Sequence, residues 1–170
     1  MAVTTASSGK ETMTTSRLPD PTKLIPELDQ VGAALFAATA NGSVSPTTIG
    51  LVQLRAGQIV GSTYLTVRHT TGLRTAGEPE DRITAVASWQ DSPHFTAPER
   101  TALALVEAVL TPNPHTERVT DDLYTRATTH YDDKALTTLT TAIGQVCFFI
   151  PLALIGKPFP GKPVAEQWRD

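Results

Sequence analysis

The residues of this 170-residue chain best suited to chemistry lie between Gln58 and His69. An α-helix turns about 100° per residue, so on a helix beginning near Ser62 the side chains of Ser62, Leu65, Thr66 and His69 share one face. His69 supplies an imidazole that titrates near neutral pH and can serve as acid or base unaided. Ser62 and Thr66 add hydroxyls, Gln58 adds an amide from the preceding helix, and Leu65 adds an apolar wall. A direct Ser62–His69 dyad is out of reach, because seven helical steps are about 10 Å. A water or a substrate atom has to bridge the two. The expected site therefore has His69 as its catalytic acid/base, with Ser62, Thr66, Gln58 and Leu65 binding the substrate.

Thiol chemistry is largely removed by the count of one cysteine, Cys147. No intrachain disulfide, CxxC pair or cysteine-based zinc site can be built from it. Cys147 lies in the apolar run QVCFFIP, where burial raises a thiol's pKa and makes it inert. His94, His115 and His130 sit beside turns or helix ends without pair spacing, so they are expected to be solvated, and no metal site or cofactor is expected. Tyr64 points about 140° away from His69 and is expected in the core or in a subunit seam beside Arg68, its i+4 neighbour. Arg55 reads as half of a structural salt bridge or as a cap.

The run Leu51 to Thr70, LVQLRAGQIVGSTYLTVRHT, carries a resemblance. With Leu51, Leu54, Arg55, Ala56, Gln58, Gly61, Tyr64 and His69 in place, it is similar to the signature of the carboxymuconolactone decarboxylase and alkylhydroperoxidase D-like superfamily. Where peroxidases of that superfamily carry a glutamate and two cysteines, this chain has Gly50, Ser62 and Leu65. Where the superfamily often has an NxWNR-like run, it has Cys147, Phe149, Ile150 and Pro151. The resemblance extends from Leu18 to about Leu154 and implies an all-α subunit of a homo-oligomer: a trimer, hexamer or dimer.

Composition sets the outer limits. With 40% hydrophobic and 18% charged residues, the chain can bury one good core and is too short for two ordinary domains. A formal net charge of −3, with Lys and Arg scattered, offers no basic stripe for nucleic acid. The longest apolar run, 146–156, is far short of the roughly 20 residues needed to cross a bilayer, and Pro151 interrupts it, so no membrane partner is expected. Residues 1–16 are Thr/Ser-rich and lack a signal-peptide pattern, which reads as a disordered tail on a cytoplasmic protein. Residues 17–170 are then a single domain.

Helix signals fill that domain. The prolines in RLPDPTKLIP favour an extended arm anchored by Leu18, Leu24 and Ile25, and a first helix of about three turns follows, ending at Asn41-Gly42. Ser45-Pro46 opens the next helix, and a bend is expected near Gly61. A helix over 62–76 ends at Gly77, and Pro79 opens a short one with Ile83, Val86, Ala87 and Trp89 inward. Thr96 and Glu99 form a capping box for a helix to Leu110. Thr120 and then Asp132 or Asp133 cap two more, the last being the bundle centre and ending near Pro151, beyond which a partly extended tail runs to Trp168. The expected architecture is an all-α bundle of about six to seven helices.

Two functions fit such a chain. The first is a cofactor-independent decarboxylase, isomerase, lyase or cyclase acting on an organic acid, lactone or polyketide-like molecule through His69. The second is a redox-dead binding or scaffold subunit. A residual peroxidase using Cys147 ranks third.

Overall fold

The computed structural model describes residues 15–170. Eight α-helices follow one another: α1 (Pro21–Leu24), α2 (Glu27–Thr39), α3 (Pro46–Ile59), α4 (Thr63–Thr75), α5 (Glu80–Ala85), α6 (Ala97–Leu110), α7 (Asp121–His130) and α8 (Asp133–Gly156). With the one-turn α1 set aside, seven remain, as the sequence pattern predicts. Among the described residues the extended backbone pairs only at one isolated bridge, between Pro19 and Arg169.

Local capping chemistry explains where the helices begin. Ser45, Ser62, Thr120 and Asp132 each accept a backbone N–H of the first turn, which satisfies one of the donors that a helix start leaves free. Thr96 and Glu99 form the reciprocal capping box of α6. Gly61 takes φ 66°, a left-handed conformation that favours glycine, so the expected bend is a full break between α3 and α4.

Helices α3 and α4 pack antiparallel. Gly57 leaves so little room that an added Cβ would stand 3.0 Å from Leu65, and one on Gly50 would stand 2.8 Å from Leu73. That register sets His69 opposite residues 53 and 54. Two apolar cores flank α3. One joins Val52, Ala56 and Leu65 to Leu105, Leu139 and Val146, and the other joins Leu51, Leu54 and Leu73 to Val86, Trp89, Phe95 and Leu103.

Several expectations need correcting. Helix α8 runs through Pro151 to Gly156 instead of ending there. Proline deletes one helical hydrogen bond, but buried Ala153 and Gly156 hold the last turns against the body. The resulting 24-residue helix is long and apolar enough to cross a bilayer by length and composition, so the proline does not interrupt it. In the structure, α8 packs against α2, α3, α4 and α7. Leu24 and Ile25 are exposed, so Leu18 alone of the three arm residues is partly buried. Ala87 is exposed while Ile83, Val86 and Trp89 are buried. The expected tail lies outside the described residues except for Thr15 and Ser16, and Ser16 is buried.

Large apolar side chains are exposed on α2, at Val31 and Phe36, and on α8, at Phe148, Leu154 and Ile155. Patches of this kind on folded chains mark contact surfaces.

Candidate functional site

Ser62 sits at the start of α4, where its Oγ accepts the Leu65 N–H at 3.3 Å. The hydroxyl is buried and lies beside a cleft of about 340 Å³. Gly61, Ser62, Thr63 and Tyr64 form one side of it, Ala153, Leu154 and Lys157 a second, and Pro158, Phe159 and Pro160 the outer wall. Hydroxyls and Lys157 supply its polarity, and the rest of the lining is apolar. A volume near 300 Å³ is the lower end of the range for small-molecule sites.

The face expected from the sequence is divided. Ser62 lines the cleft, whereas Gln58, Leu65, Thr66 and His69 are not among its lining residues. Leu65 is part of the apolar core. Gln58 lies within 3.4 Å of Arg55, which makes an ion pair with Glu107 and donates to the Ala87 carbonyl at 3.2 Å. Arg55 thus ties α3 to α6 and takes the structural role.

His69 is partly buried on the α3 side of α4. Burial strips water from its charged form and Arg68 adds positive potential, which together lower its pKa to about 4. The ring is therefore neutral at pH 7 and offers a lone pair. It can accept a proton there, but it has none to donate as a ready acid. Elsewhere on α3, Gln53 donates to Gln145 Oε1 at 3.0 Å, and Thr39 lies 3.4 Å from the same oxygen, so polar side chains join α2, α3 and α8.

The position of the peroxidase glutamate is closed. A Cβ on Gly50 would stand 2.8 Å from Leu73 Cδ2, so Leu73 occupies the space that a longer side chain would need. The Cys147 thiol is partly buried, and desolvation pushes its pKa up. His94, His115 and His130 are exposed. Among the described residues no three His, Cys, Asp or Glu side chains are grouped to hold a metal ion.

The sequence reading missed the outer half of the cleft. Tyr64 donates from its hydroxyl to Gln167 Oε1 at 2.6 Å, and Arg68 lies 3.4 Å behind it. The expected Tyr64–Arg68 pair exists, but the seam it serves is with the chain's own C-terminal segment. The signal for this was the dense proline spacing at 158, 160 and 163, which folds the segment back instead of letting it trail away.

Comparisons with known proteins bear on the family and the fold. A family model for the carboxymuconolactone decarboxylase family matches residues 27–108. The uncharacterized protein YdfG of Bacillus subtilis is 30% identical over 125 residues, covering 73% of this chain and 83% of YdfG. The uncharacterized protein YnjA of Escherichia coli is 36% identical over 107 residues, covering 59% of this chain but only 54% of YnjA. ATU0492 of Agrobacterium tumefaciens, a protein of unknown function described as a candidate AhpD-type antioxidant defence protein, superimposes with a TM-score of 0.76 at 25% identity, over 85% of this chain and 97% of that one. The debrominase Bmp8 shares the fold at a TM-score of 0.66 and 17% identity, over 75% of this chain and 67% of Bmp8. With this helical order, this motif and these relatives, the chain belongs to the carboxymuconolactone decarboxylase family.

Proposed function

We propose that this protein is a cofactor-independent enzyme that moves a proton on a compact organic acid, lactone or polyketide-like molecule, without the thiol redox chemistry of the family's peroxidases. The observation that carries this reading is the cleft of about 340 Å³ floored by Ser62 at a position where those peroxidases carry a cysteine. A serine hydroxyl orients a ligand by hydrogen bonding but cannot cycle through sulfenic acid and disulfide. Bmp8, which shares the fold, has been crystallised with 2,3,4-tribromopyrrole, a ligand of the compact size this cleft suits.

His69 is the proposed base. Helical side chains tilt toward the N-terminus, which brings the imidazole back toward the Ser62 end, and Thr66 lies between them. A ligand seated against Ser62 and reaching past Thr66 presents its acidic carbon to the neutral ring. With a pKa of about 4, His69 stays in its basic form throughout the neutral range, so kcat/KM is flat from pH 6 to 8 and falls only near pH 4.

The test is a screen of aromatic and polyketide-type acids and lactones, with products followed by mass spectrometry. His69→Ala should then lower turnover of the identified substrate by 100-fold or more, on the order expected for a general base. Unchanged turnover in that variant would remove His69 from the mechanism. Peroxide consumption by the protein and its Cys147→Ser form should be equally negligible.

A second reading, a binding or scaffold subunit without turnover, is favoured by the placement of His69 outside the cleft lining. Under it a bound compound is recovered unchanged, and His69→Ala binds as tightly as the parent. On either reading we propose a second copy of the chain as the cover for the exposed apolar side chains of α2 and α8, and Phe36→Glu should shift the mass in solution toward the monomer.

A further inference from the structure

The C-terminal segment past α8 is built as a unit. Phe159 N donates to the Gln167 carbonyl at 2.8 Å and closes residues 159–167 into a loop. Inside it, Gln167 Nε2 donates to the Lys162 carbonyl at 2.8 Å, and Lys162 lies 3.7 Å from Glu166 and 5.9 Å from the Phe159 ring centroid. Both ends are fastened to the N-terminal arm: Arg17 N donates to the Gly156 carbonyl at 2.7 Å, and Arg169 N donates to Ser16 Oγ at 2.8 Å. Trp168 packs on Gly156 and secures the far end.

Between those fastenings, Pro158 and Gln167 are buried, Phe159 and Pro160 are partly buried, and residues 161–166 are exposed. Among the described residues their one hydrogen bond to the rest of the molecule is Tyr64 OH to Gln167 Oε1. Arg68 cannot accept a hydrogen bond, so its guanidinium behind the phenol orients the hydroxyl outward to donate to Gln167. Lys157, with φ 45°, turns the chain in the left-handed region at one end of the loop. Pro158, Phe159 and Pro160 then stand over the cleft with Ser62 beneath.

We propose that residues 158–167 form a hinged strap that is both the outer wall and the gate of the cleft, latched by the Tyr64–Gln167 hydrogen bond. This rests on the cleft being the ligand site. It adds that the partly open cleft admits larger ligands only when the strap lifts, and that the size of the accepted ligand is set by Phe159 and its flanking prolines as well as by the helix motif. A loop tied at both ends, with residues 161–166 exposed and one neutral hydrogen bond to the body at Gln167, opens locally without unfolding of the bundle.

Labelling a cysteine placed under the strap tests this without any ligand, and so separates it from the proposed function. In a Cys147→Ser background, Ser62→Cys puts a single thiol on the cleft floor. With the strap latched, a small methanethiosulfonate reagent should modify it slowly and a bulky maleimide dye more slowly still. Adding Tyr64→Phe or Gln167→Ala should accelerate both reactions about three- to tenfold, the change in open population expected from one lost hydrogen bond. Hydrogen–deuterium exchange should rise over 158–167 and stay at the parent level in α3 and α6. Rates unchanged in both variants, or fast labelling by the bulky dye in the latched parent, would overturn the strap. A rise in exchange across the whole molecule would do so as well, because the latch would then be a general stabilising contact and not a gate.

Discussion

The two ends of α4 are held by opposite means. At the C-terminal end, Arg82 pairs with Glu78 at 2.7 Å and with Glu99, and its guanidinium lies 5.3 Å from the Phe95 ring. Nearby, Arg100 donates to the Trp89, Gln90 and Ser92 carbonyls. At the N-terminal end, a partly open cleft is lined by prolines, alanine and leucine, and the segment beyond it is held by one neutral hydrogen bond. Charge-assisted bonds among partly buried groups are strong and directional, so the first end is fixed in one arrangement. A single neutral bond is worth about 1 kcal/mol, which leaves the strap over the second end free to move. Rigidity at one end of a helix lets the other end hold a site that opens.

The contrast is tested most severely at the closed end. Gly50→Glu, which restores the peroxidase residue, drives a side chain into Leu73 and buries a carboxylate, and should destabilise the fold by about 4 kcal/mol, lowering Tm by roughly 10 °C. A thermal scan reads this directly, and a change below 1 kcal/mol would show that α3 and α4 separate easily. Next in size is Arg82→Met, which strands Glu78 and Glu99 without their cation and should cost about 3 kcal/mol at pH 7. Burial alone would raise the Glu99 carboxyl, but hydrogen bonds from Arg82 and Thr96 outweigh it and hold the pKa below its usual value. A carboxylate lowered by folding stabilises above its unfolded pKa, and that stabilisation fades as pH falls through the folded value. The gap between Arg82→Met and the parent should therefore narrow below about pH 4 in urea titrations.

His69 gives a third and smaller effect with its own pH window. Its pKa drops from 6.5 to about 4 on folding, so the unfolded chain binds the proton more tightly between those values. Stability should decline as pH falls from 6.5 to 4, by about 2–3 kcal/mol from this group, and His69→Gln should remove that slope. At the open end the smallest change is expected. Gln167→Ala should lower global stability by about 1 kcal/mol or less while changing access to the cleft severalfold.

Much of this was legible from local pattern. Ser45-Pro46, Thr96 with Glu99, Thr120 and Asp132 mark helix starts because a cap is satisfied by groups within three residues of it, which a sequence displays. The family motif fixed the α3–α4 pair for the same reason. What escaped was set by contacts distant in sequence. Pro151 reads as a stop, yet packing of Ala153 and Gly156 carries α8 past it. Tyr64 and Gln167 are 103 positions apart, and no periodicity links them. Ser62 is the extended N-cap of α4, and the cleft opens beside that first turn and leaves the imidazole outside its lining.

Gly156 and Trp168 are mutually dependent, since a Cβ at 156 would stand 2.7 Å from the indole. A descendant that gains any larger residue at the first position must lose its seat for the second, and with it the fold-back of the last dozen residues. The two should therefore be inherited or discarded together, and a glycine twelve places ahead of a tryptophan near the C-terminus becomes a mark by which homologous sequences can be sorted before any of them is crystallised.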